Sequence, residues 1–113
     1  MVEVVLVRDR DGALRGFRAA GHAGFAERGA DIVCAAVSAL TEVTVLGLQA
    51  RLGLEPAVEM DEERGLLLCT LDRDGTPPEL WARAQDLLET LALGLGEIAK
   101  EYADYIRVRE VTA

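Results

Sequence analysis

The sequence predicts an α+β domain: a mostly antiparallel sheet with two helices, in the order β-β-α-β-β-α-β. Three observations carry that reading. β-prone runs come in pairs around glycine-containing turns, two long stretches read as helices, one from its cap and stop signals and the other from its helical spacing, and the helices fall between groups of strands instead of after every strand. The 113 residues are enough for one domain, taken as 1–113. With 50% hydrophobic but only 4% aromatic residues, its core must be aliphatic.

Residues 2–8 and about 14–22 are the first hairpin, folded around Asp9-Arg10-Asp11-Gly12, whose Asp-Gly pair suits a tight turn. The stretch 23–30 is too irregular for a strand and too rich in glycine for a helix, and is expected to be a mobile loop. Asp31 then stands as an N-cap before Ile32-Val33-Cys34-Ala35-Ala36-Val37-Ser38-Ala39-Leu40, and the helix runs to Leu52, where Gly53 stops it. That helix is apolar nearly all round, which predicts cover on more than one side. After Pro56, residues 57–61 and 66–71 form a second hairpin around Glu62-Glu63-Arg64-Gly65. Thr76-Pro77-Pro78-Glu79 reads as a capping box with proline in the first turn. Leu80, Ala84, Leu87, Leu88, Leu91, Leu95, Ile98 and Tyr102 then recur at the spacing of a long amphipathic helix. Ile106–Val111 alternates and supplies the last strand.

Twenty acidic against 12 basic side chains give a net charge of −8. Eleven of the basic residues are arginine, none lies in a run, and direct nucleic-acid binding therefore lacks its usual electrostatic source. The opening Val2–Val7 reads as a strand, not as a signal peptide, and the apolar first helix is interrupted by Ser38, Thr41, Glu42 and Thr44, so no membrane association is expected. Cys34 and Cys69 have no paired spacing and suit a reducing, cytoplasmic compartment. No metal site is expected, because the chain has one histidine and no CxxC pair. Asp9-Arg10-Asp11-Gly12 and Asp72-Arg73-Asp74-Gly75 look alike but read as turns.

The residues that could do chemistry are His22, at the end of the second strand, and Cys34, at the start of the first helix. With Asp31 as the cap, Cys34 is the third helical residue, where free N–H groups and the positive helix end favour a thiolate and could receive an oxyanion. A neighbouring imidazole completes a cysteine nucleophile with a histidine base. Asp31 and Ser38 fall near the same helix face and could orient the imidazole or bind substrate backbone. Spacing alone leaves a second reading open, in which Cys34 is a small buried hydrophobe, His22 a satisfied strand-end residue, Asp31 only a cap, and Ser38 bonds back to its own helix.

The stretch Gly21-His22-Ala23-Gly24-Phe25 through Gly29-Ala30-Asp31-Ile32-Val33-Cys34-Ala35-Ala36-Val37-Ser38 closely resembles the signature of the bacterial ribosomal-processing cysteine proteases, the Prp family. The strand and helix order resembles that family along essentially the whole chain. The resemblance implies a cytoplasmic, cofactor-free, homodimeric endopeptidase with Cys34 as nucleophile and His22 as general base. Asp31 and Ser38 match supporting positions of the motif, and Gly21 and Gly24 the turns beside them. The substrate it implies is the N-terminal extension of large-subunit ribosomal protein number twenty-seven, cut after an apolar segment ending in paired phenylalanines. Two alternatives use the same residues: a non-catalytic ribosome-associated binding protein, and a thiol-dependent acyl transferase or hydrolase. A binding module has no need of a thiol beside a histidine.

Overall fold

The computed structural model describes residues 1–21 and 28–113, and side chains from Ile32 onward in the first helix. The elements run β1 (Val2–Arg8), β2 (Leu14–Ala20), α1 (Arg28–Leu46), a π-helical turn (Gly47–Arg51), β3 (Ala57–Asp61), β4 (Leu66–Thr70), α2 (Pro78–Glu101) and β5 (Ile106–Thr112). The strands form one sheet in the order β3-β4-β2-β1-β5. Three neighbouring pairs are antiparallel and the fourth, β1 with β5, is parallel. This is the α+β architecture that the spacing predicts. The parallel pair arises because β2 already occupies one side of β1, and the chain leaving α2 returns along the other side in the direction of β1.

Alternation along the strands sends Val4, Leu6, Phe17, Leu67 and Cys69 to the helix side, where they are buried with Val33, Val37, Leu88 and Leu95 of the two helices. The core is aliphatic apart from Phe17 and Trp81. Gly12 turns the first hairpin at φ +91°, a conformation that glycine adopts without strain.

Two local expectations are corrected. Helix α1 begins at Arg28, so residues 28–30 are helical and Asp31 is the fourth residue of the helix instead of its cap. Ala30 is a strong helix former and an acidic residue is favoured in the first turn, which together outweigh Gly29. Residues 23–27 of the expected loop lie outside the described residues, as does His22. At α2, Pro77 occupies the N-cap with no side-chain cap bond. The Thr76 hydroxyl instead donates to the Asp72 carbonyl at 2.6 Å, closing the preceding turn. The two Asp-Arg-Asp-Gly turns prove to be neighbours: Arg73 bridges Asp9 at 3.0 Å and Asp11 at 2.8 Å, and its guanidinium lies 5.1 Å over the Trp81 ring.

Helix α2 is fastened to the first hairpin by polar side chains. Gln85 accepts from the Leu14 N–H and donates to the Leu14 carbonyl, both at 2.7 Å. Arg8 forks onto both Glu89 carboxylate oxygens at 2.9 Å and reaches Glu110 at 3.0 Å. The arginine holds the Glu89 carboxyl below its ordinary value of 4.5. A lowered folded value means that the pair contributes fully above about pH 4.5 and is lost as the pH falls through that folded value. The Glu89 side chain is 46% exposed, so solvent screening limits the pair to about 1 kcal/mol or less. Glu89→Gln is expected to lower the melting temperature by at most a few degrees, roughly, at pH 7 and by less at pH 3. Thermal melts across that range check it, and an equal loss at both pH values would refute the ionic account.

Candidate active site

One stripe of α1, formed by Val33, Val37, Thr41, Val45 and then Leu48 of the π-helical turn, is buried against the sheet. Thr41 is tolerated there because its hydroxyl donates to the Val37 carbonyl at 2.8 Å. Cys34, Ser38 and Glu42 each follow a member of that stripe by one residue, a rotation of about 100° on the helix. They therefore form the next face round, and that face looks into a cavity of about 260 Å³.

The opposite wall is the second hairpin, through Met60, Asp61, Glu62, Gly65, Leu66 and Leu67, and the end wall is Val2, Ala19 and Gly21. The hairpin turn is held by Asp61, whose carboxylate accepts the N–H groups of Glu63 and Arg64 at 3.1 and 3.3 Å. The Arg64 carbonyl in turn accepts the Gly21 N–H at 3.4 Å. Gly21 sits at φ +96°, and a Cβ there would lie 2.6 Å from the Met1 carbonyl oxygen. Only glycine satisfies both conditions, so Gly21, just past the end of β2, is held between the β3–β4 turn and Met1.

Of the residues singled out in the sequence, Gly21, Cys34 and Ser38 come together around this one cavity. His22 and Gly24 lie outside the described residues, as does the side chain of Asp31. Cys34 is the seventh residue of α1, beyond the first turn whose N–H groups lack partners. The helix start therefore lies a turn further from Cys34 than a cap at Asp31 would place it. What the sequence reading missed is the far wall. Met60 had a visible signal, a large apolar residue on a strand, but nothing in the pattern tells whether such a residue faces a core or a cavity. Among the described residues no group of three or more His, Cys, Asp or Glu side chains could hold a metal ion.

The two thiols differ sharply in setting. Cys69 is 1% exposed, and burial pushes its pKa up to about 11. Cys34 is half-buried and lines the cavity.

The fold is a five-stranded α+β sheet with two helices, and it sets the Cys34 thiol into the wall of a partly apolar cavity. Residues 1–107 match the family described as cysteine protease Prp, and the chain belongs to that family. It is similar to the ribosomal processing cysteine protease Prp of Bacillus subtilis strain 168, with 32% identity over 108 residues covering 96% of each chain. It is also similar to the crystal structure of an essential ribosomal processing protease Prp from S. aureus in complex with a substrate peptide. That match has a TM-score of 0.86 and 25% identity, over 98% of this chain and 100% of the other. The same S. aureus protease with a covalently linked product peptide matches at 0.83 and 26%, with equal coverage.

Iodoacetamide at neutral pH is expected to alkylate Cys34 in the folded protein and Cys69 only after unfolding, as read by peptide mass spectrometry. Native labelling of Cys69 at a comparable rate would contradict its burial.

Proposed function

We propose that this chain is a cytoplasmic endopeptidase that removes the N-terminal extension of large-subunit ribosomal protein number twenty-seven, cutting after an apolar segment that ends in paired phenylalanines. Cys34 is the nucleophile and His22 the general base. The observation that carries this reading is the position of Cys34: in a chain of the Prp family, its thiol lies in the wall of a groove that is apolar along Val2, Ala19, Val37, Met60 and Leu67. The S. aureus relative, solved with a substrate peptide and with a covalently linked product peptide, supports a covalent route.

In that route His22 takes the Cys34 proton, and the sulfur attacks the scissile carbonyl carbon to form a C–S bond. Collapse of the tetrahedral adduct breaks the C–N bond, and the leaving amine receives the proton from His22. Water, deprotonated by the same imidazole, then cleaves the thioester and restores the thiol. Ser38 lies on the cavity side of α1 to meet substrate backbone, and Gly21 and Asp31 have the supporting roles that the family motif implies. Glu42, Asp61 and Glu62 make the groove acidic at its margin, which favours encounter with a basic ribosomal protein.

The protein acts as a homodimer through the outer face of α1. Ile32, Ala35, Ala39, Val43 and Leu46 are exposed at three- and four-residue spacing, with Glu42 at the margin of the face beside Ala39 and Leu46. A two-fold axis through Ala39 would set Ile32 of one protomer against Leu46 of its partner, and Ala35 against Val43. The surface is then self-complementary, as an isologous contact requires.

The test is to incubate the protein with the full-length ribosomal protein of its own organism and read the product by mass spectrometry. Cys34→Ala and His22→Ala are each expected to lower kcat/KM by about a thousandfold or more with the fold intact, while Cys69→Ala retains cleavage. Cleavage by Cys34→Ala at more than a few per cent, roughly, of the native rate would sink the proposal, because nucleophile and base act as a unit. Val43→Glu is expected to give a monomer by light scattering at micromolar concentration, and an unchanged mass would exclude this face.

A further inference from the structure

A second cavity, about 180 Å³, adjoins the first along the groove. Val45 and Leu46 form its α1 side, Val58 and Met60 of β3 with Leu67 of β4 form its floor, and Glu42 stands between the two cavities. Glu42, Met60 and Leu67 line both, so the two are one continuous trough running from Cys34 along α1. We infer that this trough over β3 is a distant side-chain pocket of the protease, receiving an apolar residue of the peptide about five positions from the scissile bond; the inference rests on the endopeptidase reading above.

The trough exists because the helices stop short of the edge of the sheet. β3 pairs only with β4, and its helix-side residues Val58 and Met60 remain 40% and 53% exposed. Two large apolar side chains on one strand face are left without the helical cover that their equivalents on β1, β2 and β4 have. Five of the six lining residues are apolar, which selects an apolar occupant, and the Glu42 carboxylate disfavours an acidic one. The volume fits one side chain: an apolar cavity of about 150 Å³ is enough to hold a benzene ring. The reach fits an extended peptide. Cys34 to Val45 is about 17 Å along the helix at about 1.5 Å per residue, which an extended chain covers in about five residues at about 3.3 Å each. Continuity with the Cys34 cavity is what argues for a substrate residue over an unrelated partner.

The test uses peptides spanning the cleavage site, in which each residue up to six positions from the scissile bond is replaced in turn by glycine and by aspartate. Cleavage is measured with the native protein and binding with Cys34→Ala. One position four to six residues from the bond is expected to stand out, with aspartate there lowering kcat/KM about tenfold or more through KM while kcat holds. Val58→Phe, which keeps a good strand former on an exposed site, should fill the trough. It is expected to weaken binding of the peptide with a large apolar residue at that position, and to bind and cleave the glycine peptide as the native protein does. A flat profile across positions, or an equal effect of Val58→Phe on both peptides, overturns the inference. Should the native protein cleave none of the peptides, the endopeptidase reading fails, and the binding profile on Cys34→Ala still decides the trough. A change of oligomeric state in Val58→Phe with peptide binding unchanged would assign the trough to a second copy and overturn the inference as well.

Discussion

Burial of one stripe of α1 against the sheet is the constraint on which the rest depends. Val33, Val37 and Val45 are each less than a tenth exposed, and once they are seated the helix has no rotational freedom left. Each residue that follows a member of the stripe is then presented about 100° further round. Cys34, Ser38 and Glu42 are those residues, so the chemistry-bearing face of α1 is set by apolar packing that contains no chemistry. A rotation that exposed Val37 would bury Ser38 and Glu42 without partners, and the cost of burying such groups keeps the helix in place.

The polar fastenings stand at the other end of β1. Arg8 with Glu89 and Glu110, Gln85 on Leu14, and Arg73 with Asp9 and Asp11 bind α2 and the first turn together at the end remote from Val2, which borders the cavity. On the cavity side, among the described residues, the hairpin β3–β4 is held through pairing of β4 with β2, through Asp61 on its own turn, and through Gly21. The division places the polar ties where α2 must be anchored. It also explains why β3 carries exposed apolar residues on an acidic protein: the elements that would cover them are committed elsewhere in the sheet.

The sequence made the fold legible because its periodicities are unambiguous. The valine-rich run from Val2 to Val7, the leucine repeat from Leu80 to Leu95 and the Asp-Gly turn each have a strong local preference, and antiparallel order follows from hairpin connections. The start of α1 was not legible, because Asp31 has the chemistry of a cap and also that of a first-turn residue, and the choice depends on whether Gly29 and Ala30 are helical. The site was legible for half of its circumference. Gly21, Cys34 and Ser38 lie close enough in sequence for local geometry to relate them, whereas Met60, Leu66 and Leu67 join the cavity only through the sheet order β3-β4-β2, and no periodicity encodes which strand lies beside which.

The polar residues of α1 make the same point at finer scale. Composition alone makes Ile32–Arg51 long and apolar enough to cross a membrane, and Ser38, Thr41, Glu42 and Thr44 look like four equivalent interruptions of it. They are two pairs with different physics. Thr41 and Thr44 are buried, and each donates its hydroxyl to a carbonyl one turn back, Val37 and Leu40, at 2.8 Å, so they cost the packed face little. Ser38 and Glu42 lie on the Cys34 face, exposed to the cavity that they line. A threonine in an apolar helix can satisfy itself and so says little about a site, whereas a carboxylate cannot bond to its own helix carbonyls while ionised and must face either solvent or a ligand. Glu42 is therefore the residue whose presence in the helix pattern most directly marks the open side of α1, and the groove lies where it points.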